Sequence, residues 1–117
     1  MLVAIVAALA PDARAADAAR GKQLFEQCAA CHSLEAGKQG LGPSLAGVVG
    51  RKAGALDDFR FSPPMKRSAV TWTRETMSAF IAEPQKEIPG NRMPFSGMPE
   101  AKDRDDLLDY LVQAAKP

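Results

Sequence analysis

Apolar positions along this chain recur at helical spacing, and no segment alternates apolar and polar residues as a half-buried strand would. Gly21, Leu24, Phe25 and Cys28 share one face of a helix predicted from Asp17, a capping residue type, to Cys28. A glycine inside a helix costs about 1 kcal/mol relative to alanine, so Gly21 predicts the close approach of another helix. A second helix is expected from Thr73 to Glu83, with Met77, Phe80 and Ile81 as its apolar stripe and Pro84 as its stop. The last helix runs from Lys102 or Asp103 to Ala115, opens with acids that suit the helix dipole, and carries Leu107, Leu108, Leu111, Val112 and Ala115 on one side. Leu107 or Leu111 is the expected partner of Gly21. A short helix is predicted at Ser62, with Ser62 as cap and Pro63 in the first helical position.

Residues 33–61 hold Gly37, Gly40, Gly42, Gly47, Gly50, Gly54 and Pro43, and so read as an ordered loop rather than a long element. From Ile88 to Pro99, prolines and glycines forbid regular structure and predict an extended strap that displays side chains. With no strand pattern and no internal repeat, the expected fold class is all-α: three main helices with loops between them.

The chain's 117 residues suit a single domain with a modest core. Aromatic residues make up only 6%, a scarcity that a large buried apolar cofactor would offset. A net charge of +1 gives no case for nucleic-acid binding. Met1 to Ala10 form an almost unbroken apolar run, and Ala13-Arg14-Ala15 places small residues where a signal peptidase cuts. Residues 1–15 are therefore expected to be an export signal and 16–117 the mature domain, with the periplasm as destination. The run carries no preceding positive charge, which leaves retention as a tether open, and it is too short to span a bilayer, for which about 20 residues are needed.

The chemistry concentrates in Cys28-Ala29-Ala30-Cys31-His32, which contains both cysteines and the only histidine. On a helical turn these three side chains project from one face. A dithiol redox pair would follow a strand in a βαβ unit, and nothing before Cys28 reads as a strand. A structural zinc site needs four ligands, usually Cys and His, and the chain has none left to add. The remaining use of C-x-x-C-H is covalent haem attachment, with Cys28 and Cys31 as thioethers and His32 as the proximal iron ligand. With no second histidine, the other axial position falls to Met, Lys, Tyr, water or nothing, and a methionine on a rigid strap after a helix stop is suited to it. Met93 is the expected residue and Met98 the next. Met77 reads as core, Met65 belongs to the short helix, and Met1 to the signal.

Taken together, Gly21 and Phe25, Cys28 to His32, Gly42-Pro43, Arg51-Lys52-Ala53-Gly54, Trp72, Pro84, Ile88-Pro89-Gly90-Asn91-Arg92-Met93 and Leu107-Leu108-Asp109-Tyr110-Leu111 resemble class I cytochrome c of the mitochondrial and bacterial periplasmic type. The resemblance implies a small cytochrome c fold around one covalent haem c. It implies Met93 as sixth ligand, the Pro43 carbonyl as acceptor for the His32 ring, and Arg51 and Trp72 beside a haem propionate. Phe80 and Phe61 stand where relatives often have tyrosine, and Met65 where asparagine is common, so the polar network around the haem is expected to be poorer. The implied role is not enzymatic. It is one-electron transfer by a monomer between a quinol–cytochrome c reductase or dehydrogenase and a terminal oxidase or reductase. The competing reading is a five-coordinate haem protein that binds gas or reacts with peroxide. Lys86 and Arg92 remain near the strap for docking, while Gln27 and Gln85 sit where basic residues are common.

Overall fold

Asp17 begins the first helix as its residue type predicts, its carboxylate accepting the Arg20 amide at 3.1 Å. The computed structural model describes residues 2–5 and 15–117. The first helix does not run unbroken to Cys28: α1 spans Ala18–Leu24, and α2 spans Glu26–Ala29. Phe25 lies between them with ψ near −19°, and the Cys28 amide reaches back only three residues, to the Phe25 carbonyl at 2.8 Å. This tighter turn interrupts the regular ladder, while Phe25 is buried against Tyr110 with ring centroids 5.6 Å apart.

Further along, α3 covers Pro63–Arg67, with Ser62 capping the Met65 amide and proline at the start. Helix α4 covers Arg74–Ala82, where Thr73 and Thr76 each accept the other's backbone amide in a reciprocal cap. Pro84 ends α4 as expected, yet it also opens a further turn, α5, at Pro84–Glu87. A proline lacks the amide that a first helical position leaves unpaired anyway, so one residue serves both as stop and as start.

Helix α6, Ala101–Ala114, is the longest element and packs on α1 and α4. Leu107, Leu108, Leu111 and Ala115 are buried with Phe25, Val48, Met77 and Met98 in the core. Val112, expected on the same stripe, is exposed. Helix α1 crosses α6 on the side of Asp106 and Tyr110, and at 100° per residue Val112 falls at the far edge of the stripe. For the same reason the partner of Gly21 is neither Leu107 nor Leu111. A Cβ on Gly21 would fall on the Asp106 carbonyl and within 2.9 Å of the Tyr110 Cβ. Residues 33–61 form the expected loop, pinned by an isolated antiparallel bridge between Lys52 and Thr71, and the described residues contain no strand.

Asp106, one acid among several at the start of α6, is fully buried at this crossing. Its carboxylate accepts Lys102 Nζ at 2.6 Å, Arg20 Nη1 at 2.8 Å and the Asp17 amide at 2.8 Å. Burial pushes its pKa up, but these donors outweigh that and hold it down at about 2. A carboxyl with a lowered folded-state pKa stabilises the fold above its unfolded pKa, near 4, and that contribution fades as pH falls towards 2. Asp106→Asn is expected to cost on the order of 2 kcal/mol at neutral pH. Its deficit against wild type should shrink between about pH 4 and pH 2 in denaturant titrations, and a constant deficit would contradict the assignment.

Leu2, Val3 and Ile5 are exposed rather than packed in a core. The rest of the apolar run, residue 1 and residues 6–10, and the small-residue stretch up to residue 14 lie outside the described residues. Among the described residues no helix is long and apolar enough to cross a membrane.

Candidate functional site

The turn after Phe25 continues through the cysteine motif: the amides of Cys31 and His32 both reach the Cys28 carbonyl, at 3.0 and 2.9 Å. This winding brings Cys28, Cys31 and His32 to one cavity of about 400 Å³, whose other walls include Leu107, Leu108 and Leu111 of α6, Phe80 of α4, and the strap at Met93.

His32 is held from behind. Its Nδ1 lies 2.7 Å from the Pro43 carbonyl. A carbonyl only accepts, so Nδ1 carries the proton, and the lone pair of the neutral ring is on Nε2. Burial lowers the His32 pKa and the Pro43 carbonyl opposes this, with burial dominant, which favours the neutral ligand form. Gly42 makes the approach feasible: a Cβ there would lie 2.6 Å from His32 Cε1 and 2.8 Å from Nδ1.

The thiols are free, with no disulfide between Cys28 and Cys31. Burial, reinforced by the neighbouring Cys31, pushes the Cys28 thiol up to about 11. A dithiol redox catalyst needs the opposite, a thiolate stabilised near neutral pH. Among the described residues no group of three or more His, Cys, Asp or Glu side chains gathers to hold a metal ion directly. The donor set therefore suits an organic macrocycle better than a bare ion: two thiols able to become thioethers, an oriented imidazole and a largely apolar chamber.

The methionines separate spatially. Met65, Met77 and Met93 line the cavity, whereas Met98 is buried in the core with its amide on the Ile81 carbonyl at 2.7 Å and does not reach the cavity wall. Met77 is fixed on α4 and nearly fully buried. Met93 is half-buried on the irregular strap.

Arg51 lines the cavity while its guanidinium donates to the Ala46 and Ser44 carbonyls, both at 3.0 Å. Burial lowers its pKa, and the charge of Asp58 partly offsets this. Trp72 also lines the cavity, tilted against Phe80 with centroids 5.1 Å apart. Phe59 and Phe61 form an edge-to-face pair in the same wall, beside Met65. This part of the chamber is thus aromatic and thioether-lined rather than hydroxyl-rich.

Two amide side chains, Asn91 of the strap and Gln85, hold the backbone leading into Met93. Asn91 is buried, donating to the Pro84 and Ile88 carbonyls, both at 2.9 Å, and accepting the Met93 amide at 3.0 Å. Gln85, seen in sequence only as a neutral residue on the surface, donates to the Asn91 carbonyl at 2.8 Å and accepts the Gly90 amide at 3.0 Å. The one local hint was an asparagine following Pro89-Gly90, a turn-forming context.

Comparison with known proteins gives a consistent result. The cytochrome c family profile matches residues 18–115. Cytochrome c2 iso-2 of Magnetospirillum molischianum is 49% identical over 82% of this chain and 96% of its own length. Cytochrome c2 of Blastochloris viridis is 41% identical over 96% of this chain and 88% of its own. Among solved structures, cytochrome cH from Methylobacterium extorquens superposes with a TM-score of 0.78 at 43% identity, covering 83% of this chain and 98% of the other.

Proposed function

This chain belongs to the cytochrome c family, and from that premise we propose that it is a one-electron carrier whose haem c is held axially by His32 and Met93. Members of the family carry one covalent haem c and transfer electrons rather than catalyse reactions, and Cys28 and Cys31 fit the two thioether attachments. The observation that supports the axial pair is the shared cavity, whose walls include both the Nδ1-anchored His32 and Met93 of the strap.

The haem supplies a one-electron iron couple when bound. The chain's own contributions follow from the geometry. The Pro43 carbonyl fixes the tautomer of His32 and leaves Nε2 as its donor atom. Met93 offers a neutral thioether, which with imidazole favours the reduced state and raises the potential. Held by both His32 and Met93, the haem would offer no position to oxygen or peroxide, which sets this reading against a five-coordinate gas-binding one. The leucines of α6 and the aromatic wall of Phe59, Phe61 and Phe80 would give the haem an apolar surround. Arg51 and Trp72, both in the cavity wall, would attend a propionate.

The proposed setting is the periplasm, after removal of residues 1–15. There the protein, as a monomer, carries electrons from a quinol–cytochrome c reductase or dehydrogenase to a terminal oxidase or reductase. The bacterial cytochromes c2 among its relatives support that placement. The deciding experiment exposes the reduced protein to carbon monoxide: a protein ligated by Met93 binds it slowly and weakly, whereas immediate stoichiometric binding would establish the five-coordinate alternative.

Around the strap the charges are sparse. Arg92 is exposed, Lys86 is paired with Glu83 at 3.8 Å, and Gln27 and Gln85 are neutral. Electrostatic steering raises encounter rates and weakens with salt, so a face this weakly charged is expected to show a shallow salt dependence of electron transfer. A rate falling tenfold or more between about 0.01 and 0.15 M salt would contradict this.

A further inference from the structure

The strap carrying Met93 has no helix or sheet of its own to hold it, and the segment just before the methionine is tied by two side-chain amides. Asn91, 6% exposed, has its NH₂ group on the carbonyls of Pro84 and Ile88 and its oxygen on the Met93 amide. Its orientation is not arbitrary, because carbonyls require the NH₂ end and the Met93 amide requires the oxygen. Gln85, from the middle of α5, closes a second loop over the first, gripping the Asn91 carbonyl and the Gly90 amide. The base of this arrangement is rigid: Pro84 is fully buried, and α5 is fastened by the Ile88 amide on the Pro84 carbonyl at 3.1 Å.

We propose that Gln85 and Asn91 form a paired-amide clamp that determines how readily Met93 leaves its axial position, making both of them positioning residues for the iron ligand. This rests on the reading of Met93 as ligand. The Met93 backbone is held directly by Asn91, and Asn91 is held by Gln85, so loosening either amide frees the two residues that lead into Met93. Each hydrogen bond of this kind is worth a factor of roughly five in a local equilibrium. Gln85→Ala, which removes two such bonds from an exposed side chain, is expected to raise the population with Met93 detached about tenfold or more. Asn91→Ala should do so more strongly, since it removes three bonds made by a buried amide, one of them directly to the Met93 backbone.

The test uses the intact haem protein and measures carbon monoxide uptake by the reduced form at saturating gas, where departure of the methionine limits the rate. It also measures the far-red methionine-to-ferric charge-transfer band. Gln85→Ala and Asn91→Ala should accelerate uptake about tenfold or more, with the band weakened in Asn91→Ala. Asp106→Asn, which weakens the fold at the distant α1–α6 crossing, should leave the uptake rate unchanged, so a merely structural role is separated from a clamp. Slow uptake in wild type with no acceleration in Gln85→Ala overturns the clamp, as does equal acceleration by Asp106→Asn. Should Asn91→Ala fail to fold, Gln85→Ala alone decides. Wild-type uptake as fast as that of Met93→Ala overturns the ligand assignment itself, and the clamp with it.

Discussion

On the proposed ligation, Met93→Ala is expected to yield a haem protein that binds carbon monoxide at once when reduced. It should also lower the reduction potential by on the order of 0.2 V, part of the roughly 0.8 V over which axial ligands tune haem proteins. Met65, Met77 and Met93 all line the cavity, but Met77 is nearly fully buried on α4 and Met65 belongs to the short turn of α3, whereas Met93 stands on a strap shaped by Pro89, Gly90 and Pro94. Losing a neutral thioether removes the ligand that favours the reduced state. The fold should survive, since Met93 is half-buried and absent from the buried core cluster. Potentiometry and carbon monoxide titration of the purified variant check the expectation together, and Met65→Ala and Met77→Ala serve as comparisons. A Met93→Ala protein with unchanged potential and no carbon monoxide binding would remove Met93 from the iron.

Gly21→Ala is expected to be the most damaging single-methyl change in the chain. In an exposed helix the substitution would stabilise by about 1 kcal/mol through propensity. Here the added carbon would fall on the Asp106 carbonyl, 2.6 Å from its carbon and 2.9 Å from the Tyr110 Cβ. Two of those three neighbours are backbone atoms of α6, so no side-chain rotation relieves the clash and the helices must move apart. That separation strains the Arg20, Lys102 and Asp17 bonds to Asp106 and loosens Phe25 against Tyr110. Overpacking a rigid contact costs about 3 kcal/mol, which for a domain of this size lowers the melting temperature by roughly 10–20 °C. Thermal denaturation of the haem protein measures it directly, and a melting temperature within a few degrees of wild type would show that the crossing is more yielding than its geometry indicates.

Much of this molecule was legible from neighbouring residues alone. Helical periodicity in residues 101–114, the caps at Asp17 and Ser62, and the strap's prolines and glycines each express a preference decided within a few positions. The same holds for Cys28, Cys31 and His32, whose spacing brings them together on one turn before any tertiary contact exists. Where local rules compete with packing, packing prevails: the helix expected through Phe25 breaks there, Val112 is exposed, and Pro84 starts α5 as well as stopping α4.

By itself, then, the order of residues determined the all-α character, the helical elements near their true places, and a single locus of chemistry at Cys28 to His32. The family followed from several motifs in the right order. Only the tertiary structure decided that Asp106 is buried with three donors, that Gly21 meets Asp106 and Tyr110 rather than a leucine, that Met98 turns into the core while Met93 faces the cavity, and that Gln85 and Asn91 lock together ahead of Met93. The physical reason is range. Backbone preference and side-chain spacing act over a turn of helix, whereas the burial of a charge and the partner of an amide depend on how helices cross, and that crossing joins Asp17 and Arg20 to Asp106 across most of the chain.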